Sequence, residues 1–306
     1  MSRIHEALKR AEQEAASKGN GANAANASDS AAAPPPAPGI SVVDRHPGAS
    51  RVAPPAPITM DALLACAQAE WSPDPQTMLF FNADEKTCGT EQFRTLRSRL
   101  YQLREEEPLK KILITSALPK EGKSFVAANL AQAIVRQHGR RALLIDADLR
   151  AARLHIALGT KAKPGLSEYL SDEAQVLNII QRGPMDGLFF IPSGRETTNP
   201  AELLAGDHFR SLLEQLEALF DWIIIDSPPA VPVSDAALLA KHCDGVLMVV
   251  RANVTPYDAA QKARDEFSDK HLVGVVFNGL GMRSLPYTRY YYSTYERSNG
   301  KAETQR

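Results

Sequence analysis

From residue 111 onward one pattern repeats. A short run that is apolar throughout is followed by a longer stretch with apolar positions three and four apart. The runs occupy 112–116 (ILITS), 142–145 (ALLI), 188–191 (LFFI), 222–225 (WIII), 245–250 (GVLMVV) and 273–277 (VGVVF). Runs without polar alternation read as strands covered on both faces. Helical stretches between them call for right-handed parallel crossovers. The pattern predicts a doubly wound, mostly parallel α/β sheet of six or seven strands, flanked by helices. Ligands of such sheets bind beyond the carboxyl ends of the strands.

Upstream, residues 90–106 predict an amphipathic helix. Phe93, Leu96, Leu100 and Leu103 form its apolar stripe, and Glu91, Arg94 and Arg97 stand beside it at intervals of three. Residues 60–71 suggest a further short helix. Residues 2–16 spell another, with Ile4, Leu8, Ala11 and Ala15 along one side. A helix that short is marginal alone in water, so it is expected to dock on something. Between them lies a stretch rich in Ala, Pro, Gly, Ser and Asn, which lacks the large apolar residues needed to offset its ordering entropy. The expected division is a helix at 1–16, a disordered Ala/Pro-rich linker at 17–77, a globular domain at 78–282 and a flexible tail at 283–306.

Composition narrows the function classes. The 306 residues carry a formal net charge of −1, so no basic excess points to nucleic acid. Cys66, Cys88 and Cys243 are too few and too scattered for a disulfide framework or a metal pattern, which fits a reducing compartment. No apolar run approaches the roughly 20 residues that cross a bilayer, and the N-terminus is charged. A cytoplasmic location is expected.

Candidate chemistry begins where the first strand ends. Residues 112–124 read ILITSALPKEGKS. This is the phosphate-loop pattern G-x-x-x-x-G-K-[ST] with Ala117 in place of its first glycine. The loop residues Ala117, Pro119, Lys120, Glu121 and Gly122, together with the helix start at Lys123, Ser124 and Phe125, are the candidate nucleotide-binding residues, with backbone N–H groups and the helix N-terminus facing the phosphates. Lys123 supplies charge to the β- and γ-phosphates, and the Ser124 hydroxyl is a magnesium ligand. Gly139 is placed to end the helix that follows. Two more strands finish in carboxylates. LLIDADLR ends at Asp146, with Asp148 two residues on, and IIIDSPP ends at Asp226. Strand-end aspartates opposite a phosphate loop hold magnesium directly or through water. Three acids around one phosphate chain repel each other without a metal. A simple nucleotidase needs only one of them. The surplus can accept a proton from an attacking hydroxyl, or Asp146 or Asp148 can cap the next helix.

Together these stretches resemble the bacterial tyrosine kinases of the capsule and exopolysaccharide type. That family combines loops of the kinds ALPKEGKS, LIDADLR and IIDSPP. Gly165-Leu166-Ser167, Asn199-Pro200-Ala201-Glu202-Leu203-Leu204 and Ser234-Asp235-Ala236 match as well. EQFRTLR, carrying Glu91, Arg94 and Arg97, is similar to the family's oligomerisation motif. The resemblance implies an ATP- and Mg2+-dependent P-loop kinase. Lys123, Asp146 and Asp148 would be catalytic, Ser124, Asp148 and Asp226 would serve the metal, and Asn278 would contact adenine. It also implies a ring of identical subunits, activation by a separate membrane chain-length regulator that recruits the chain to the inner face of the membrane, and a tyrosine phosphatase as antagonist. The family commonly has a proline soon after the second acidic motif, where this chain reads Arg150-Ala151-Ala152-Arg153. His155 matches a family position and is read as structural.

The C-terminus reads LPYTRYYYSTY, so five of eight tyrosines (Tyr287, Tyr290, Tyr291, Tyr292 and Tyr295) fall close together. A buried aromatic edge would be one reading of such a cluster. A phosphoacceptor tail is the other. From Arg283 to Arg306 an extended chain reaches at most roughly 80 Å, enough to enter a neighbour's site. Five phosphates would add roughly −8 to −10 charges, which could expel the tail and loosen a ring. Two rival readings share the loop. ParA/MinD-type ATPases carry an early lysine where this chain has Leu118, and lack the tyrosine cluster. A non-catalytic scaffold of a polysaccharide machine would use nucleotide only for assembly.

Overall fold

The structure is a computed structural model that describes residues 58–66, 68–81, 88–267 and 272–280. Seven strands form one sheet. They are β1 (Lys111–Ser116), β2 (Ala142–Asp146), β3 (Gln181–Arg182), β4 (Leu188–Ile191), β5 (Trp222–Asp226), β6 (Gly245–Arg251) and β7 (Leu272–Asn278), in the order β3-β4-β2-β5-β1-β6-β7. Every pairing is parallel except that of β3 with β4. The doubly wound sheet expected from the apolar runs is the one found. The two-residue β3 is the strand the runs did not reveal, since Gln and Arg give no apolar signal.

Both faces are covered, which is why the strands lack polar alternation. Leu113, Leu143, Phe189, Ile223 and Ile225 point into one core layer. Their neighbours Ile112, Leu144, Phe190, Trp222 and Ile224 point into the other. Helix α3 (Lys123–Val135) lies in the second layer and is buried through most of its length. Helix α2 (Cys88–Glu106) packs on it, and Phe93 meets Phe125 edge-on at 5.7 Å between ring centres. On the opposite face, α8 (Asp207–Glu217) contributes Phe209, Leu212, Leu213 and Leu216.

Described residues before the expected boundary at residue 78 already pack on the domain. The expected helix at 60–71 is shortened to α1 (Met60–Ala65), capped by the Thr59 hydroxyl. Leu63 is fully buried in the first layer, whereas Met78 and Phe80 are buried in the second. The segment therefore passes around the β3 edge. There the Ala69 N–H donates to the Arg182 carbonyl at 3.0 Å, covering an edge that would otherwise be open. It also satisfies two buried amides of α3. Asn129 accepts from the Leu79 N–H at 2.9 Å, and Gln132 from the Phe80 N–H at 3.3 Å. Residues 58–77, expected as linker, thus include chain packed on the domain. The expected helix at 1–16, most of the linker and the tail at 283–306 lie outside the described residues.

Candidate active site

Helix α3 begins at Lys123, directly after β1 and a tight loop. Two residues of that loop have positive φ, Lys120 at 66° and Gly122 at 94°. Ala117 keeps a negative φ, so nothing in the backbone requires a glycine there. Gly122 is different. A Cβ at this position would stand 2.0 Å from Asn278 Nδ2. The Asn278 amide lies over the loop and donates to the Glu121 carbonyl at 2.9 Å, and its oxygen accepts from the Gly279 N–H. Glu121 is buried; one of its oxygens accepts from the Leu118 N–H at 2.9 Å and the other from the Thr255 hydroxyl. The Arg251 guanidinium reaches the Lys120 carbonyl at 3.3 Å. The ends of β6 and β7, with Thr255 just beyond β6, therefore brace the loop, a role the sequence motifs do not signal.

Asp146 and Asp226 are register partners at the ends of adjacent strands β2 and β5. Both are fully buried, and Asp148 is nearly so. The Lys123 ammonium lies 2.9 Å from Asp148 Oδ2. Asp148 Oδ1 accepts from the Ala151 N–H at 3.0 Å. Asp146 accepts two backbone N–H groups, from Asp148 at 3.3 Å and from Leu154 at 3.2 Å. Leu154 opens the short helix α4 (Leu154–Leu158), so Asp146 organises the loop as a cap would. Neither oxygen of Asp226 has a hydrogen-bond partner. The Ser124 hydroxyl is near enough to stabilise its charge without completing a hydrogen bond to it.

The electrostatics follow from crowding and burial. Burial opposes the charge on Lys123, but Asp226, Asp148 and Asp146 outweigh it and raise its pKa. Burial, then Asp226 and Asp148, push Asp146 well above the usual carboxylate range. Burial lifts Asp226 to about 6 against the pull of Lys123 and Ser124. Three carboxylates around one ammonium make a site that favours added positive charge.

A hydrated magnesium ion fits this donor set. Asp226 offers two buried, unpartnered oxygens beside the Ser124 hydroxyl. Among the described residues no three His, Cys, Asp or Glu side chains converge as a protein-only metal cage. Magnesium does not need one, because it keeps several waters and takes its remaining oxygens from phosphates.

Other expected site residues lie apart. Arg94 pairs with Glu91 on α2. Arg97 donates to the Ala133 carbonyl at 2.6 Å, ten residues along α3 from Lys123 and so about 15 Å from the phosphate loop. His155 sits on α4, its Nδ1 buried without a partner and its pKa lowered by burial. Tyr287, Tyr290, Tyr291, Tyr292 and Tyr295 lie outside the described residues.

This fold, with a phosphate loop after β1 and carboxylates at the ends of β2 and β5, defines a P-loop nucleotide-binding protein. A family profile described as an AAA domain matches residues 110–261. The tyrosine-protein kinase YwqD of Bacillus subtilis is 34% identical over 198 residues, 64% of this chain and 83% of that protein. The tyrosine-protein kinase wzc of Salmonella typhimurium is 31% identical over 223 residues, 72% of this chain, but this chain spans only 31% of its length. Among solved structures, the kinase domain of the Escherichia coli tyrosine kinase ETK superposes with a TM-score of 0.62 at 32% identity, covering 66% of this chain and 80% of that domain. The chain belongs to the bacterial tyrosine-protein kinase family.

Proposed function

We propose that the chain is an ATP-dependent protein-tyrosine autokinase that modifies the tyrosine cluster at 287–295 of a second copy. The observation that carries the reading is the meeting of Lys123, Asp146, Asp148 and Asp226 at one phosphate loop. The named relatives support the reaction class. Regulation of capsule or exopolysaccharide synthesis, activation by a membrane chain-length regulator and reversal by a tyrosine phosphatase follow from the family resemblance. Recruitment to the membrane by that regulator follows from the same resemblance; no described helix is long and apolar enough to cross a membrane.

In this mechanism the loop amides and Lys123 hold the β- and γ-phosphates of ATP. Ser124 and Asp226 would hold magnesium, which when bound neutralises charge between those phosphates. Lys123 leaves Asp148 as its ammonium turns to the phosphates, which frees the carboxylate. Asp148 then accepts the proton of the tyrosine hydroxyl as the new O–P bond forms and the bond to the departing ADP oxygen breaks. Asp146, whose oxygens already hold two backbone N–H groups, fixes Asp148 in place. Asn278 stands at the loop, where it can meet the nucleoside while bracing Glu121.

Incubating the purified chain with labelled ATP tests the reading. Label should appear on the tail tyrosines and vanish in Lys123→Met. That variant, offered as acceptor to a tail-deleted kinase, should be labelled in trans. Retained labelling in Lys123→Met, or free phosphate as the sole product, would refute it.

A further inference from the structure

We infer that Arg150 is a positioning residue that sets Asp148 for the reaction by clamping the loop after β2 to the segment after β5. Arg150 donates from Nε to Asp235 Oδ2 at 2.7 Å and from Nη2 to Asp235 Oδ1 at 2.9 Å. This is the two-pronged guanidinium–carboxylate fork, which fixes direction as well as distance. Asp235 is fully buried at the start of α9 (Asp235–Ala240), so it is a rigid anchor.

The clamp closes a circuit around the site. Lys123, at the start of α3, contacts Asp148. Two residues later Arg150 holds Asp235. The chain from Asp226 towards Asp235 is itself tied back to the phosphate loop, where the Ala230 N–H donates to the Ser116 carbonyl at 2.8 Å and the Val231 N–H to the Ala117 carbonyl at 3.3 Å. Without Arg150 the circuit opens on one side only. Asp148 would keep the Ala151 N–H, its link to Asp146 and the neighbouring bond from the Ala147 N–H to the Asp226 carbonyl, but lose its tie to Asp235 in the segment after β5. The phosphate loop lies on the intact side. The loss should therefore fall on the rate of phosphoryl transfer and spare nucleotide binding.

The inference rests on the kinase reading for the reaction scored, so the test counts loss of γ-phosphate from ATP whatever its acceptor. A wild type that yields only free phosphate would sink that reading yet leave the comparison of Arg150 variants intact. Arg150→Ala alone leaves a buried carboxylate unpaired and so destabilises the fold; the decisive variants are therefore the double Arg150→Ala/Asp235→Asn and the single Arg150→Lys. Both avoid an uncompensated charge. Each should melt near the wild-type temperature and bind a fluorescent ATP analogue within about twofold of wild type. Each should lose about tenfold to a hundredfold in single-turnover rate, the scale of a misplacement of about 1 Å. Arg150 also lines a groove of about 430 Å³ with His155, Lys163 and Arg195. A direct contact with the acceptor would instead raise KM for a tail peptide with kcat preserved. That split, or a folded variant with a wild-type rate, or equal losses in nucleotide affinity and rate, would overturn the inference.

Discussion

Replacing Asp226 by Asn removes a charge from a place where nothing in the ligand-free protein stabilises it fully. Both carboxylate oxygens are buried without a hydrogen-bond partner. Burial raises the group from 3.8 to about 6. A gap of about two pH units corresponds to about 3 kcal/mol by which the ionised group weakens the fold. That figure already includes the attraction of Lys123; the Asn amide that takes the carboxylate's place is itself a buried polar group without partners, which offsets part of the gain. A net gain of about 1–2 kcal/mol is expected for Asp226→Asn at neutral pH, or roughly 2–8 °C in melting temperature for a domain of this size. The sign depends on pH in a defined way. Because the folded pKa lies above the unfolded one, the native protein holds more protons between them, and wild-type stability falls as pH rises from about 4 to 6. The variant lacks this slope. Its advantage should be complete above about pH 6 and roughly halved at pH 5. Thermal melts without nucleotide or magnesium, run on both proteins at pH 7.5 and 5, give the difference directly. Magnesium and nucleotide should then reverse the order, since wild type gains about 2.7 kcal/mol at a ligand concentration one hundred times Kd while the variant gains little. A variant less stable than wild type without ligand, or an advantage independent of pH, would refute the reasoning.

Gly122→Ala should abolish nucleotide binding in a fluorescence titration, because φ of 94° costs a non-glycine residue about 1–2 kcal/mol and the new methyl meets Asn278 Nδ2. Adding Asn278→Ala should recover only the steric part. Leu63→Ala should destabilise the domain by about 2–5 kcal/mol in urea unfolding, since this residue is fully buried; a neutral result would detach the segment at 58–66 from the core. Arg97→Ala should cost about 1.5 kcal/mol even at dilutions where only monomer is present, because its guanidinium holds the Ala133 carbonyl within the chain. Unchanged monomer stability would confine Arg97 to contacts between copies.

How legible each feature is in the sequence depends on whether its cause is local. The six apolar runs declare the sheet because burial on both faces leaves no polar alternation, and the core layers of Leu113 and Ile112 bear this out. The phosphate loop is legible for the same reason, since Gly122, Lys123 and Ser124 are consecutive and their roles follow from backbone geometry. Features made by distant pairs are not. Thr255 reaches Glu121 across 134 positions, and Arg150 reaches Asp235 across 85. Each residue alone looks like an ordinary surface polar group. The segment at 58–81 is hidden in another way. Leu63, Met78 and Phe80 enter two different layers while the chain rounds the sheet edge, so no single period links them. Asn129 and Gln132 carry the missing clue, as two amides on an otherwise apolar buried helix. Buried amides require partners, and no residue of α3 itself could supply an N–H donor for their oxygens. A segment with free backbone N–H groups had to lie against that helix, and residues 77–80 are that segment.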